Sequence, residues 1–263
     1  MNIIEAMVVR RSVRTFDGSG LRQNELDMLR QAIKESFSPF GGHLAIRLGS
    51  FDLTARFKPS TYGMIRGASD FFLVGYGDDE NSQLTAGFQF EQIVLRATTM
   101  GLGTCWIAAT FKGSDFERGG IWPKDEELKI VCPVGTAAKP SFIEKVSRIA
   151  VGSKNRKPFN DLFFASDFHS SITDDNTFRQ ALEMMRIAPS STNSQPWRAL
   201  VDGNTVHFYY VQKSRLAVLD CGIGICHFFE TERFNGCSGR FEKMAHYPVP
   251  PGAKHYLISY VRE

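Results

Sequence analysis

No block of five like charges occurs in this 263-residue chain, and 31 Lys and Arg against 28 Asp and Glu leave a net charge of +3. That balance is too mild for a nucleic-acid footprint, so no nucleic-acid partner is expected. No apolar run approaches the roughly 18 residues of a membrane span, and no membrane partner is expected either. Cysteine is sparse and odd in number. Cys105, Cys132, Cys221, Cys226 and Cys237 fit reduced thiols better than a disulfide framework. Arg10-Arg11-Ser12 has the look of a twin-arginine export signal, but Thr15-Phe16-Asp17-Gly18-Ser19-Gly20 follows it instead of an apolar stretch. The expectation is a cytoplasmic protein.

Several chemical signatures are missing as well. No Gly-x-Gly-x-x-Gly follows a strand, which argues against a Rossmann nucleotide site. Cys221, Cys226, His227 and Cys237 match no zinc spacing, and Cys226-His227 falls inside an apolar helical stretch, so no metal site is expected. His43, His169, His207, His246 and His255 form no pattern with Ser, Cys or carboxylates that suggests a hydrolase triad.

What is present is a hydrophobic content of 43% with 22 Phe, which suffices for a sizeable core and excludes disorder as the main state. At about 150 residues per domain, the length suggests one to two domains. Landmarks then recur in the same order. Leu26, Leu29 and Ile33 mark an apolar helical face that must stop near Ser38-Pro39; Phe178, Ala181, Leu182 and Met185 mark a second, stopping near Ala188-Pro189. Gly87 to Gly101 brackets an apolar helix, and Gly222 to Gly236 brackets another; glycine just past a helix end is the expected C-cap. Trp122-Pro123 leads into a β-rich segment, Leu128 to Gly135, and Tyr247-Pro248 leads into His255 to Val261. Each half thus reads as a helix, one or two strands, a mostly apolar helix and a strand. This predicts an α+β fold of two degenerate repeats forming an intramolecular pseudo-dimer, with the apolar central helices buried. Two ordinary α+β modules sharing the pattern by chance is the alternative. The join is placed between Pro158 and Asp174, giving a first half of residues 1–163 and a shorter second half of 164–263.

Three stretches could carry chemistry, and each has a plainer reading. Arg10-Arg11-Ser12-Val13-Arg14 offers guanidiniums beside a hydroxyl, a set able to hold a phosphate bidentately, or else it is a solvated surface. Gly152-Ser153-Lys154-Asn155-Arg156-Lys157-Pro158 is a basic loop that faces a phosphate or simply links the halves. Pro189-Ser190-Ser191-Thr192-Asn193-Ser194-Gln195-Pro196-Trp197 crowds hydrogen-bonding groups between two prolines. It can cap a turn, or form a rigid polar wall that reads the amide edge of a flat heterocycle.

Taken together, these stretches and Gly101-Leu102-Gly103-Thr104-Cys105-Trp106 resemble the nitroreductase superfamily of FMN-dependent oxidoreductases, over residues 10 to 197 and closest to its fused, two-half branch. The resemblance implies one composite FMN site per chain. Arg10, Ser12, Lys154 and Arg156 would hold the phosphate and ribityl chain with Arg11 nearby. Arg14 would place a cation by the pyrimidine edge. Pro189, Ser190, Ser191 and Asn193 would line the facing wall, and backbone N–H groups around Ala108 and Ala109 would reach the redox-active nitrogen. Many relatives have a proline and an acidic residue where this chain has Trp106 and Ala108, which bears on pocket shape. Pro39-Phe40-Gly41-Gly42-His43 has lost the polar loop, and Phe168-His169-Ser170-Ser171 carries no arginine cluster, so the mirror-image site is expected to be dead. The implied function is hydride transfer from NAD(P)H through FMN to a nitroaromatic, quinone or similar small acceptor, with no catalytic side chain and a monomeric protein. The alternative is an FMN-binding protein without NAD(P)H turnover, or an enzyme acting on the flavin itself.

Overall fold

The structure is a computed structural model, and it describes residues 1–55, 58–118, 120–140 and 155–263. The chain divides into two compact units. The first comprises Met1–Phe37, Gly42–Ser82 and the described part of Gln92–Val151; the second comprises Ser38–Gly41, Gln83–Glu91 and the described part of Gly152–Glu263.

The first unit is built on an antiparallel sheet of β1 (Leu44–Ser50), β2 (Asp70–Tyr76), β3 (Gly103–Thr104) and β4 (Ile130–Gly135), in the order β1-β2-β4-β3. Helix α1 (Ile3–Val9) begins with a capping box in which Asn2 and Glu5 exchange side-chain-to-backbone bonds of 2.9 Å each. Helix α2 (Gln23–Glu35) buries Leu29 and Ala32 and stops short of Ser38-Pro39, as the residue before a proline resists helical geometry. The short α4 (Gly113–Glu117) sends Phe116 into a cluster with Phe71, Leu73, Trp122 and Val131.

Helix α3 (Glu80–Thr99) contributes Gln83–Glu91 to the second unit. The rest of that unit is a five-stranded sheet ordered β5-β6-β7-β9-β8, from β5 (Phe163–Ala165), β6 (Trp197–Asp202), β7 (Thr205–Tyr210), β8 (Gly239–Glu242) and β9 (His255–Arg262). Only β5 and β6 run parallel. The β6–β7 hairpin turns through Gly203-Asn204, where Gly203 takes φ 56°. Helix α6 (Ala217–Phe234) packs on β6 and β7 of this sheet, and α5 (Arg179–Ile187) packs against α6. Phe228 of α6 is the hub, with Phe178, Phe208 and Tyr260 at centroid distances of 5.9, 5.2 and 5.3 Å.

Two expected helix starts are corrected. Gly87 and Gly222 are not boundaries but lie inside α3 and α6, which begin at Glu80 and Ala217. The true start of α3 is set by Asp79, whose Oδ1 accepts from the Ser82 backbone at 2.9 Å. Both interior glycines serve a close approach: a Cβ on Gly87 would stand 2.0 Å from the Leu219 carbonyl oxygen, and one on Gly222 would stand 2.3 Å from that of Leu84. Gly101 and Gly236 do follow the helix ends, at φ 82° and 76°. Beside this crossing His227 Nε2 meets Glu91 Oε1 at 3.0 Å, both side chains fully buried. Four of the five cysteines are buried, Cys226 completely, within α6.

Candidate flavin-binding loops

In the first unit, the segment after α1 runs alongside β3. Ser12 bridges Thr104 in parallel fashion, and the Val13 N–H donates to Thr104 O at 2.8 Å. Val13 and Phe16 are buried in the unit's core, and Val13 fills the space that a side chain at Gly103 would need. An extended chain alternates its side chains, so burying Val13 turns Ser12 and Arg14 to the other side. Arg10 closes α1, its N–H donating to Ala6 O at 2.9 Å. Trp106, Ala108 and Ala109 follow β3 directly, anchored by a reciprocal pair of 3.0 Å bonds between Ile107 and Val131. Ala109 is exposed and Ala108 half-buried. The arginine segment and the segment from Trp106 to Ala109 therefore hang from the same short strand.

The second unit holds the polar loop between α5 and β6. Ser191–Asn193 form a single 3-10 turn, and Thr192, Asn193 and Gln195 take φ of 51°, 56° and 46°. Non-glycine residues seldom adopt this left-handed region, and each costs on the order of 1–3 kcal/mol unless its surroundings hold it there. Here they do. The Gln195 N–H donates to Ser190 Oγ at 2.9 Å, and the buried Gln195 side chain accepts from Lys157 N at 2.8 Å. Its amide nitrogen donates to Asn193 O at 3.1 Å. Pro189 follows the C-cap of α5 and fixes the entry to the loop.

Arg156 belongs to this unit, although the sequence reading assigned it to the first half. Its guanidinium donates to Asn193 Oδ1 and, at 2.8 Å, to Ile187 O, while Asn193 Nδ2 donates to Asn155 O at 2.7 Å. Two residues expected to act from opposite halves thus form one cluster. Lys154 lies outside the described residues. Arg10, Arg11, Ser12, Arg14, Trp106, Ala108 and Ala109 are grouped in the first unit; Arg156, Pro189, Ser190, Ser191 and Asn193 are grouped in the second.

Sequence reasoning missed Asp220. From the first turn of α6 its carboxylate accepts from Ser191 N at 2.9 Å and from Ser194 Oγ at 3.3 Å, underpinning the loop. Burial pushes this carboxyl up to about 7 from the usual 3.8, against the two hydrogen bonds that favour its charged form. Lys157 was read only as part of a basic run, yet its ammonium donates to Ser194 O at 2.7 Å and Gln195 O at 3.0 Å. Its one sequence signal was adjacency to Arg156.

A family model described as "Putative TM nitroreductase" matches residues 2–231. A solved protein of Thermotoga maritima, described likewise, superposes with a TM-score of 0.62 at 19% identity, covering 100% of this chain and 93% of its own. A nitroreductase with bound FMN from Bacteroides fragilis covers 54% of this chain and 91% of its own, at 15% identity and a TM-score of 0.42. No curated protein matches the sequence.

Proposed function

Because the chain belongs to the nitroreductase family, whose model spans residues 2–231, we propose that it is an FMN-dependent oxidoreductase passing hydride from NAD(P)H to a nitroaromatic, quinone or similar small acceptor. The α+β fold is that of the family. The donor set suits a flavin mononucleotide. Guanidiniums and a hydroxyl at Arg10, Arg11 and Ser12 match a phosphate monoester, and the Ser190–Asn193 loop offers uncharged donors and acceptors suited to a flat heterocycle. The observation that carries this reading is the bond from Arg156 to Asn193, which brings the late basic motif against the polar loop.

When bound, FMN supplies the hydride chemistry. The chain's own residues bind and orient. Arg10, Ser12 and Arg156, with Lys154 as the family resemblance implies, would hold the phosphate and ribityl chain, and Arg11 would add positive charge. Pro189, Ser190, Ser191 and Asn193 would offer their polar groups to the ring, and Asp220 underpins that loop through the Ser191 N–H. Backbone N–H groups at Ala108 and Ala109 would donate to the ring. Arg14 would supply a fixed positive charge to the flavin site, of the kind that stabilises negative charge gained on reduction. One FMN per chain and a monomeric protein complete this reading.

The test is an absorbance spectrum of the purified protein followed by stopped-flow mixing with NADH and with NADPH. Flavin bands that bleach with either nucleotide support the proposal. A bound flavin that neither reduces identifies an FMN-binding protein without turnover and overturns the enzymatic reading. Arg14→Ala is expected to lower the flavin potential by roughly 30 mV, equivalent to about 1.4 kcal/mol for a two-electron couple. Potentiometric titration against dyes of known potential checks this, and an unchanged potential removes Arg14 from the ring's surroundings.

A further inference from the structure

We infer that Lys157, Arg198, Lys213 and Lys254, all in the second unit, form an anion site separate from the flavin phosphate, built to take a phosphoryl dianion. The geometry begins at one carbonyl. The Lys157 ammonium and the Arg198 guanidinium both donate to Gln195 O, at 3.0 and 3.3 Å. Arg198 also donates to Trp197 O at 2.6 Å, and Lys157 to Ser194 O at 2.7 Å. Two cations are thus steered to the same neutral acceptor, although their charges repel.

Two more cations stand close by. Lys213, just past β7, lies beside the Lys157 ammonium, and Lys254, just before β9, feels the charge of Arg198. Lys254 is held by Pro251 O at 2.5 Å and lies 5.6 Å from the centre of the Phe168 ring. Among the described residues, the one carboxylate acting on Lys157 and Arg198 is Asp161, in the 3-10 turn Phe159–Asp161. None of the four cations forms an ion pair among the described residues. Arg186, from α5, touches the Lys157 carbonyl at 3.3 Å but is committed to Glu183.

The excess of positive charge is the reason to expect a multiply charged ligand rather than a carboxylate. A planar guanidinium supplies bidentate donors, and three ammoniums supply point charges around it, a set suited to tetrahedral oxyanions. Burial and the like charges of Arg198 and Lys213 hold the Lys157 ammonium down at about 8, the behaviour of a site short of counter-charge. Lys157 is adjacent to Arg156, but in the described structure the two side chains reach different partners. Arg156 goes to Asn193 and Ile187, whereas Lys157 goes to Ser194 and Gln195.

The probe is inorganic phosphate, titrated by calorimetry into the full chain loaded with FMN, at pH 7 in chloride buffer. Saturable binding is expected, weakened at least about tenfold in the double variant Lys213→Gln/Lys254→Gln, because each lost charge-assisted contact is worth roughly 1.5 kcal/mol or more. FMN affinity is expected to stay unchanged in that variant, and Lys213→Arg/Lys254→Arg should retain phosphate. Because phosphate restores counter-charge to Lys157, binding at pH 8.5 should take up protons, read from heats in two buffers of different ionisation enthalpy. A further arm compares 2′,5′-ADP with 5′-ADP. Displacement of phosphate by the first alone identifies a nucleotide 2′-phosphate as the source, and displacement by neither identifies free phosphate; the site stands in both cases. Absence of phosphate binding overturns the inference, as does equal affinity in the Gln double variant. Competition between phosphate and FMN also overturns it, since the cluster would then be part of the flavin's own phosphate pocket. If the chain takes up no FMN, the same titration on the flavin-free protein still decides the question.

Discussion

Gly222→Ala is expected to lower the thermal unfolding midpoint by on the order of 10 °C, a loss of about 3 kcal/mol or more. Two effects compete. Alanine is the better helix former by about 1 kcal/mol, which alone would raise stability. Against this, a Cβ at Gly222 would stand 2.3 Å from Leu84 O, and one at Gly87 would stand 2.0 Å from Leu219 O. Those obstacles are backbone atoms of the facing helix and cannot rotate away. α3 and α6 would have to separate, opening the fully buried layer that includes Phe88, Ile225 and the His227–Glu91 pair. Gly87→Ala should behave likewise. Gly113→Ala is the control: its Cβ would meet nothing closer than Glu117 Oε1 at 3.6 Å, and a change within about 0.5 kcal/mol is expected. Calorimetric scans of the three variants check this; a Gly222→Ala protein as stable as wild type would show that the helices do not cross so closely.

Asp220→Asn should have the opposite sign. Burial raises the Asp220 carboxyl to about 7 in the folded chain, from 3.8 in the unfolded one, so the folded chain binds this proton more tightly. Stability from that proton is complete below about pH 4 and is lost as pH rises through 7, in total roughly 4 kcal/mol. Asparagine removes the cost of a buried charge while its amide can still accept from Ser191 N–H and reach Ser194 Oγ. The variant is expected to gain roughly 2–4 kcal/mol over wild type at pH 8, and little below pH 4. Urea unfolding at pH 4, 6 and 8 measures the difference. Parallel stability curves for the two proteins would mean that burial does not raise the Asp220 carboxyl above its ordinary range.

Much of this fold was legible in the chain because local chemistry set it. Pro39 and Pro189 stop α2 and α5 where a proline must, and the β-branched and aromatic run from His255 onward forms β9. The misread boundaries were those where glycine had a tertiary rather than a local purpose. Gly87 and Gly222 interrupt no helix, because each is needed for close approach, and α3 begins instead at the Asp79 cap on the Ser82 N–H. At the site, motifs identified Arg10, Ser12 and Asn193 as candidates. They did not identify Asp220, Gln195 or Arg198, whose roles depend on what the fold brings against the Ser190–Gln195 loop. Arg156 shows the same limit: its position in sequence suggested the first half, while its hydrogen bonds tie it to the second unit.

The most direct test is a fluorescence titration of the flavin-free protein with FMN, comparing wild type with Arg10→Ala and Asn193→Ala. One FMN per chain is expected, with affinity reduced by one to two orders of magnitude in each variant, since each removes a polar contact worth about 1.5–3 kcal/mol. No binding, two FMN per chain, or an effect confined to one variant would contradict a single flavin whose binding depends on both Arg10 and Asn193.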